Sequence, residues 1–483
     1  MPPRTTLPLR GRPPQRMLML GVVLALGSTA AGAESAHAAT LASATGSRPT
    51  GGSIVVMNCD DDGTGSLREA VRDLAVSGDT IDLRFLPCST ITLATGAIVT
   101  GLDDLDFAGP GRSALTISGG GLFPVIAHVG AGTLRVSGMT IEDGYKYSST
   151  ADAPGGCLYS QGNVVLERAH VRHCVARTTG ANAARGGGIH ASGDLTLVDS
   201  IVSGNDAIAD DADAFGGGFF AGGDLRMKYS LSSGNEAGGA HGSFGAGVAL
   251  GDAFVTGSSV FGNRASVVGG LALLGTQAAT PLVVRNSTIG ANYSLGVSPA
   301  AGLLAGAPLN ISNSTIAFNV LLGDPAALPG AAAGAYLSAD SQLLSTIIGS
   351  NLGVVDEEAV PSDLGGIDVT ASGDHNLVVA SVLPLPTGTL RADPRLQLMF
   401  GGMPTTHGLT IVFRFADPAS PAIDAGSNPF ALDHDQRGAP YRRLEGAAPD
   451  IGAYEDSDRI FYDGFDWITV QSSPAAALMQ GIP

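Results

Sequence analysis

Positive charge, tryptophan and long apolar runs are what this chain lacks. Of its 483 residues 26 are basic, only two of them lysines (Lys146 and Lys228), and Trp467 is the single tryptophan. Against 44 acidic residues this gives a net charge of −18, which excludes a nucleic-acid partner, because such partners demand a basic footprint. No apolar run reaches the roughly 18 residues of a membrane-spanning helix, so no transmembrane segment is expected in the mature chain. Stretches patterned for long amphipathic helices are missing as well.

What is abundant is glycine, at 69 residues, with many Ala, Ser and Thr. Such a composition suits frequent turns and an all-β repeat protein. The first residues read as an export signal: Arg4, Arg10, Arg12 and Arg16, then "MLMLGVVLALG" from Met17 to Gly27, then small residues that suit cleavage after Ala33 or Ala38. Without the leader's four arginines, 22 basic residues face 44 acidic ones, a net of −22. All four cysteines lie in the exported part, and pairing neighbours (Cys59 with Cys88, Cys157 with Cys174) closes the shorter loops, although four cysteines allow three connectivities. A zinc site from Cys157, Cys174 and His170 or His173 is the competing reading; the spacing matches no compact metal motif.

The line "GGGIHASGDLTLVDSIVSGNDA" (Gly186 to Ala207) is written again as "GGGFFAGGDLRMKYSLSSGNEA" (Gly216 to Ala237). Its closing Asn recurs at Asn205, Asn235, Asn263, Asn292, Asn319 and Asn351, at intervals of 30, 28, 29, 27 and 32, and a Ser precedes it by five residues in all but the last copy. Each copy is too short to bury an apolar face alone and must stack on its neighbours. Short period-two runs such as "DLTLVDSIV" place Leu195, Leu197 and Ile201 inward. Stacking them with the usual crossover handedness predicts an all-β, right-handed parallel β-helix of the pectate-lyase-like kind. At a coil spacing of about 4.8 Å the repeated Asn can pass amide hydrogen bonds from rung to rung as a ladder, and Gly supplies the positive φ of the corners. Asn286, Asn292, Asn310 and Asn313 match the N-x-S/T glycosylation pattern, but several belong to the repeat itself.

An open stack exposes strand edges that need covering. "GSLREAVRDLAVSGDTI" predicts a lid helix, with a Ser66–Glu69 capping box, Leu67, Ala70, Val71 and Leu74 on one face, and Gly78 as its stop. The coil is expected to begin near Ile81.

From Asp60 to Leu93, an acidic turn, "GSLREAV", "GDTI", a Cys and "STITL" resemble the N-terminal module of secreted β-helix proteins named for a Cys-Ser-Leu-Arg-Glu-Ala motif, with Gly65 where that name has Cys. "SPAIDAGSNP" (Ser420 to Pro429), "DQRGAP" (Asp435 to Pro440) and "PDIGAYE" (Pro449 to Glu455) resemble the choice-of-anchor Q domain. The resemblance implies an exported or cell-surface β-helix whose attachment device varies between members. After Glu455 there is neither an LPxTG-type sorting signal nor a final apolar helix with basic residues, and "RIFYDGF" resembles a short C-terminal element of some exported bacterial proteins. The expected organisation is a signal peptide (1–38), a leader (39–58), a cap (59–80), β-helix repeats (81–400), a choice-of-anchor Q-like closing region (401–455) and a tail (456–483).

Candidate chemistry is thin. Asp194, Asp224 and Asp252 fall at matching "GD" corners, and stacking would bring neighbouring carboxyls close to the roughly 5 Å used by retaining glycosidases; Asp after Gly is equally a favoured turn residue, with Asn163 in that role one coil earlier. Asp60, Asp61 and Asp62, Asp103, Asp104 and Asp106, and Asp210, Asp211 and Asp213 are acidic turns that could offer oxygens to calcium, though none makes a complete ligand loop. Tyr145, Tyr147, Tyr159, Phe219, Phe220 and Tyr229 could stack on sugar rings, or serve as core. No Gly-His-Gly or Arg-Ile-Lys phrase of polygalacturonases is present, and a polyanion repels acidic glycans unless calcium bridges them. The expected function is therefore non-catalytic adhesion to a polysaccharide or cell-surface component; the alternative is a polysaccharide lyase or glycoside hydrolase acting outside the cell.

Overall fold

The computed structural model describes residues 51–456, apart from 276–279, 324–326, 356, 399–402 and 406–407; the expected signal sequence and the tail from 457 lie outside the described residues. The chain is a right-handed parallel β-helix built from five sheets, all parallel except for the last strand of one, Glu358–Pro361, which pairs antiparallel. One coil passes through Leu195–Val198 (sheet 1), Ile201–Ser203 (sheet 2), Asp206–Ala209 (sheet 3), Ala214–Phe215 (sheet 4) and Phe219–Ala221 (sheet 5). Each strand pairs with its copy one coil on, as in Leu195↔Leu225, Val202↔Ser232, Ala207↔Ala237 and Phe219↔Gly247. The sheets hold 12, 11, 9, 4 and 10 strands in that order. Leu134, Val136, Val164, Leu166, Leu195, Leu197, Leu225 and Met227 stack fully buried inside sheet 1, each worth about 1.5–3 kcal/mol of burial.

Ile201 does not follow that inward phase. The two-residue corner Asp199–Ser200 resets the alternation, so Val202 points in, fully buried, while Ile201 faces out. At this corner the positive φ belongs to Gly138 and Gly257 in two coils and to non-glycine residues, Arg168, Asp199, Tyr229, Asn286, Asn313 and Ser345, in others. Left-handed backbone costs such residues about 1 kcal/mol each. It is offset by a serine ladder in which the amides of Ser200, Ser230, Ser258 and Ser287 donate to the hydroxyls of Ser230, Ser258, Ser287 and Ser314 at 3.1–3.2 Å. The next corner uses glycine as expected at Gly204, Gly234 and Gly262, then Ala291, Phe318 and Ser350.

The asparagine ladder runs through this second corner. Nδ2 of each Asn donates to Oδ1 of the next, from Asn205 to Asn235 (2.9 Å), Asn263 (3.0 Å), Asn292 (2.9 Å), Asn319 (2.9 Å) and Asn351 (2.8 Å). All six are 0% exposed. The amide of Cys174 donates to Asn205 Oδ1 at one end, and Asp363 Oδ1 accepts from Asn351 Nδ2 at the other.

From Tyr145 onward, sheets 3 and 4 form a thin fin packed on an alanine-only core that includes Ala184, Ala207, Ala214, Ala237 and Ala265. Sheet 4 folds over the outer face of sheet 5 and buries Phe215, Phe220, Phe244 and Val248 between them.

Sheet 1 starts earlier than the sequence suggests, at Ser53–Val55, which pairs with Thr80–Asp82. The lid helix is the insertion between these strands. It comprises one α-turn (Leu67–Glu69) and a π-helical turn (Ala70–Leu74), with Ser66 Oγ accepting from Glu69 N and Glu69 Oε2 accepting from Gly65 N rather than from Ser66. Leu67, Ala70 and Val71 are buried, whereas Leu74 is exposed because the helix ends as it reaches the rim. The disulfide Cys59–Cys88 ties this insertion to the first full coil, and Cys157–Cys174 is the second. Both sulfurs of the proposed zinc reading are thereby consumed. At the other end, Leu383 and Leu385 cover the core. Segment 411–456 does not cross that end; it lies along the outer face of sheet 2, joining Val412, Phe415, Ala422, Ile451 and Tyr454 to Ile347 and Leu377.

Candidate functional site

The aspartate column is a turn series. Asn163 Oδ1, Asp194 Oδ1 and Asp224 Oδ1 accept the amides of Asp194, Asp224 and Asp252 at 2.8, 2.8 and 3.0 Å. Asp194 and Asp224 therefore each hold the next corner in register, and Arg226 balances the charge at 3.9 Å from Asp194 and 3.6 Å from Asp224.

The three candidate tyrosines share one coil but not one face. Tyr145 and Tyr147 project from the first strand of sheet 3, and Tyr147 is half exposed with its hydroxyl 3.2 Å from Thr179 Oγ1. Tyr159 sits on sheet 5, its ring 5.6 Å from that of His190, which stacks on Phe220 at 5.1 Å. The fin roofs this stack, with Arg185 paired to Asp152 and lying over Phe215 and Phe220. Burial first, and the nearby Arg185 second, push His190 down to about 4. Phe219 is core, and Tyr229 turns at a corner beside Lys228.

The outer face of sheet 3 collects residues that the sequence reading missed. The position after the ladder Asn, and its equivalents in the two coils before the ladder, form a column in register: Tyr145, Val175, Asp206, Glu236, Arg264 and Tyr293. Glu236 lies 3.9 Å from Arg264, and Arg177 pairs with Asp210, just past the end of the neighbouring strand, at 3.1 Å. Burial raises Asp206 to about 6, helped by the charge of Glu236 one rung away and opposed by His173. The available signal was the tetrad D-E-R-Y that follows successive ladder asparagines.

Around the corner on sheet 2, Arg172 pairs with Glu142, and His170 Nε2 lies 2.8 Å from Ser203 Oγ. Burial, with Arg172 and Arg112 nearby, brings His170 down to about 4.

Several carboxylates of the acidic turns bond within the chain. Asp61 holds Arg68 and Thr95, Asp62 holds Arg72, and the Asp103 and Asp104 carboxylates accept the amides of Ala131 and Thr133. Asp210 is taken by Arg177; Asp213 is raised by burial. Among the described residues no three His, Cys, Asp or Glu side chains converge in a metal-binding group. Of the four N-x-S/T asparagines, Asn292 is in the ladder, and Asn286 and Asn313 donate to the carbonyls of His434 and Ser427 beneath the flanking segment.

The motif "DQRGAP" places Gln436 into sheet 2, where it donates to Ser259 Oγ at 2.8 Å and accepts from Thr288 Oγ1 at 2.5 Å. Asp435 and Arg437 form a buried ion pair at 2.6 Å, capped by the rings of Tyr441 and Tyr454. In "PDIGAYE", Glu455 accepts the amides of Glu445 and Asp450, and Thr315 Oγ1 accepts that of Ala453. These phrases fasten the segment to the solenoid.

No family model matches the chain, and no curated protein matches its sequence. Among solved structures it is similar to the crystal structure of pectate lyase Pel9A, at 14% identity and a TM-score of 0.43, over 83% of this chain and 96% of that one.

Proposed function

We propose that the chain is an exported, surface-associated β-helix that binds an extracellular glycan along the outer face of sheet 3 without cleaving glycosidic bonds. The observation that carries this reading is the alignment, at about 4.8 Å per rung, of Tyr145 and Tyr147 with Arg177–Asp210, Asp206, Glu236 and Arg264. Aromatic faces beside charged groups suit sugar rings and their hydroxyls. Two disulfides are compatible with an oxidising compartment, and the resemblance to choice-of-anchor Q proteins supports attachment to a cell surface. With a net of −22 after leader removal, the preferred ligand is neutral, or anionic only where calcium bridges the charges.

One observation favours the enzyme alternative: Asp206 and Glu236 stand one rung apart on this face, near the spacing of a retaining carboxylate pair. A panel of neutral and acidic polysaccharides, with calcium or chelator, tests both readings. Binding that falls roughly tenfold, about 1.4 kcal/mol, in Tyr147→Ala and Arg177→Ala, without new reducing ends or unsaturated products, supports the first. Turnover abolished by Asp206→Asn or Glu236→Gln, with folding intact, replaces it with the second.

A further inference from the structure

Three histidines approach a serine hydroxyl among the described residues: His128 with Ser160 at 2.7 Å, His190 with Ser192 at 3.3 Å, and His170 with Ser203 at 2.8 Å. The first pair is sealed. His128 is 0% exposed and its Nε2 faces the carbonyls of Leu102 and Asp103. The second lies under the fin. The third stands on the outer face of sheet 2, on coils that precede those covered by segment 411–456, and both residues are only partly buried.

We propose that Ser203 and His170 form a nucleophile–base pair that hydrolyses acyl esters, with Arg172 beside them to hold the developing oxyanion. This chemistry leaves glycosidic bonds alone and does not depend on the sheet 3 reading.

Ser203 is in register with Arg172 on one side and Ser233 on the other, so all three side chains share a face at rung spacing. Arg172 uses Nε and Nη2 for Glu142 Oε2, at 2.6 and 2.5 Å, which leaves the Nη1 edge for an incoming oxygen. The register neighbours of His170 are Thr140 on one side and Ile201 on the other; Ile201, with Leu231 beyond, gives an apolar floor that suits a small acyl group.

The groups that face His170 are Arg112, Arg172 and His173, with Glu142 and Asp199 paired to the arginines. Burial and this positive surround keep the imidazole neutral at ordinary pH, so Nε2 can accept a proton. Ser203 Oγ attacks the ester carbonyl carbon while its proton passes to His170 Nε2. The carbon–oxygen bond to the alcohol breaks, and the alcohol leaves with that proton. Water, deprotonated by the same nitrogen, then attacks the acyl-serine and releases the carboxylic acid.

The test uses the purified mature protein with a fluorophosphonate probe, site mapping by mass spectrometry, and p-nitrophenyl acetate hydrolysis. Labelling is expected at Ser203. Ser203→Ala and His170→Ala should lower ester hydrolysis by about 10² or more, while Ser233→Ala leaves it unchanged and all three melt like the parent. The rate should rise with pH through about 4 and then level off, following His170, a dependence that a merely structural hydrogen bond would not impose. Absence of label on Ser203, labelling that survives His170→Ala, or hydrolysis unchanged by Ser203→Ala would each overturn the proposal.

Discussion

Cys157 and Cys174 stand where the next coil has Gly188 and Asn205. The registers Leu158↔Ile189 and Val175↔Asp206 superpose the two pairs, and each pair is 17 residues apart. Inside the solenoid, a Cβ on Gly188 would come within 3.0 Å of the Asn205 side chain. The same interior corner is therefore closed either by a disulfide or by an amide laid against a glycine.

This equivalence predicts a rescue. Cys157→Ala/Cys174→Ala should lose about 3 kcal/mol, as expected for a loop of this size. Cys157→Gly/Cys174→Asn should recover about 1 kcal/mol of it, because the new amide can donate to Asn205 and extend the ladder by one rung. Urea midpoints of the two double variants decide; identical values would show that the corners are not equivalent.

A second prediction separates the ladder from the aspartate column. Asn235→Ala strands buried donors and acceptors and should cost about 1–3 kcal/mol. Gly302→Ala should cost a similar amount, since its Cβ would meet Gly334 O at 2.5 Å and Asn319 at 2.8 Å. Ala246, in the matching position of its coil, sets the low end of that range. Asp224→Ala removes one acceptor at a half-exposed corner and should cost less than about 1 kcal/mol. Equal shifts in denaturant midpoint would remove the distinction.

The β-helix was legible because Asn205 to Asn351 repeat at coil length, each amide bonding the next at a buried corner. The inward phase was readable within a strand, as at Leu195 and Leu197, but not across Asp199–Ser200, where a two-residue turn shifts it and sends Ile201 outward. The tyrosines were visible as residues and not as a site, since Tyr147 and Tyr159 are 12 positions apart in sequence and on opposite sides of a fin that no local pattern announces. Nor could periodicity find the Ser203–His170 pair, which joins neighbouring coils on the diagonal.

The flanking segment supplies a third prediction. Gln436 bonds to Ser259 and Thr288, residues about 150 or more positions away. Gln436→Ala should leave those hydroxyls underpaired and loosen 411–456 locally, while the coils upstream of Phe244 stay intact. Hydrogen exchange resolved by peptide should show faster exchange in 411–456 and no change at 133–240. Uniform change along the chain would mean that the segment is part of the global core.

Acidity supplies the last. Asp363, at 1% exposure, ends the ladder, and its raised value of about 6 comes from burial, only partly offset by the side-chain and backbone amides of Asn351 and by that of Ala380. Asp206 is raised to about 6 by burial and the neighbouring Glu236. An acid raised in the folded state contributes stability that is complete below its unfolded value near 3.8 and is lost as pH rises through about 6. Asp82, held low first by its hydrogen bond to Arg84, and Asp417, held low first by the amide of Ala419, act in the opposite sense and lose their contribution only as pH falls below the ordinary carboxylate range. Stability should therefore peak near pH 4, decline through about pH 6 and level off above it, with Tm falling by roughly 2 °C or more across that interval. Asp206→Asn should flatten the decline at little cost, since the residue faces outward. Asp363→Asn should flatten it too, but from a lower starting point, because the amide group would turn a donor toward the Ala380 N–H that now bonds Oδ2 at 2.8 Å. Calorimetric scans at half-unit pH steps read both effects, and a parent protein that grows more stable from pH 5 to 8 would contradict the burial argument for both carboxyls.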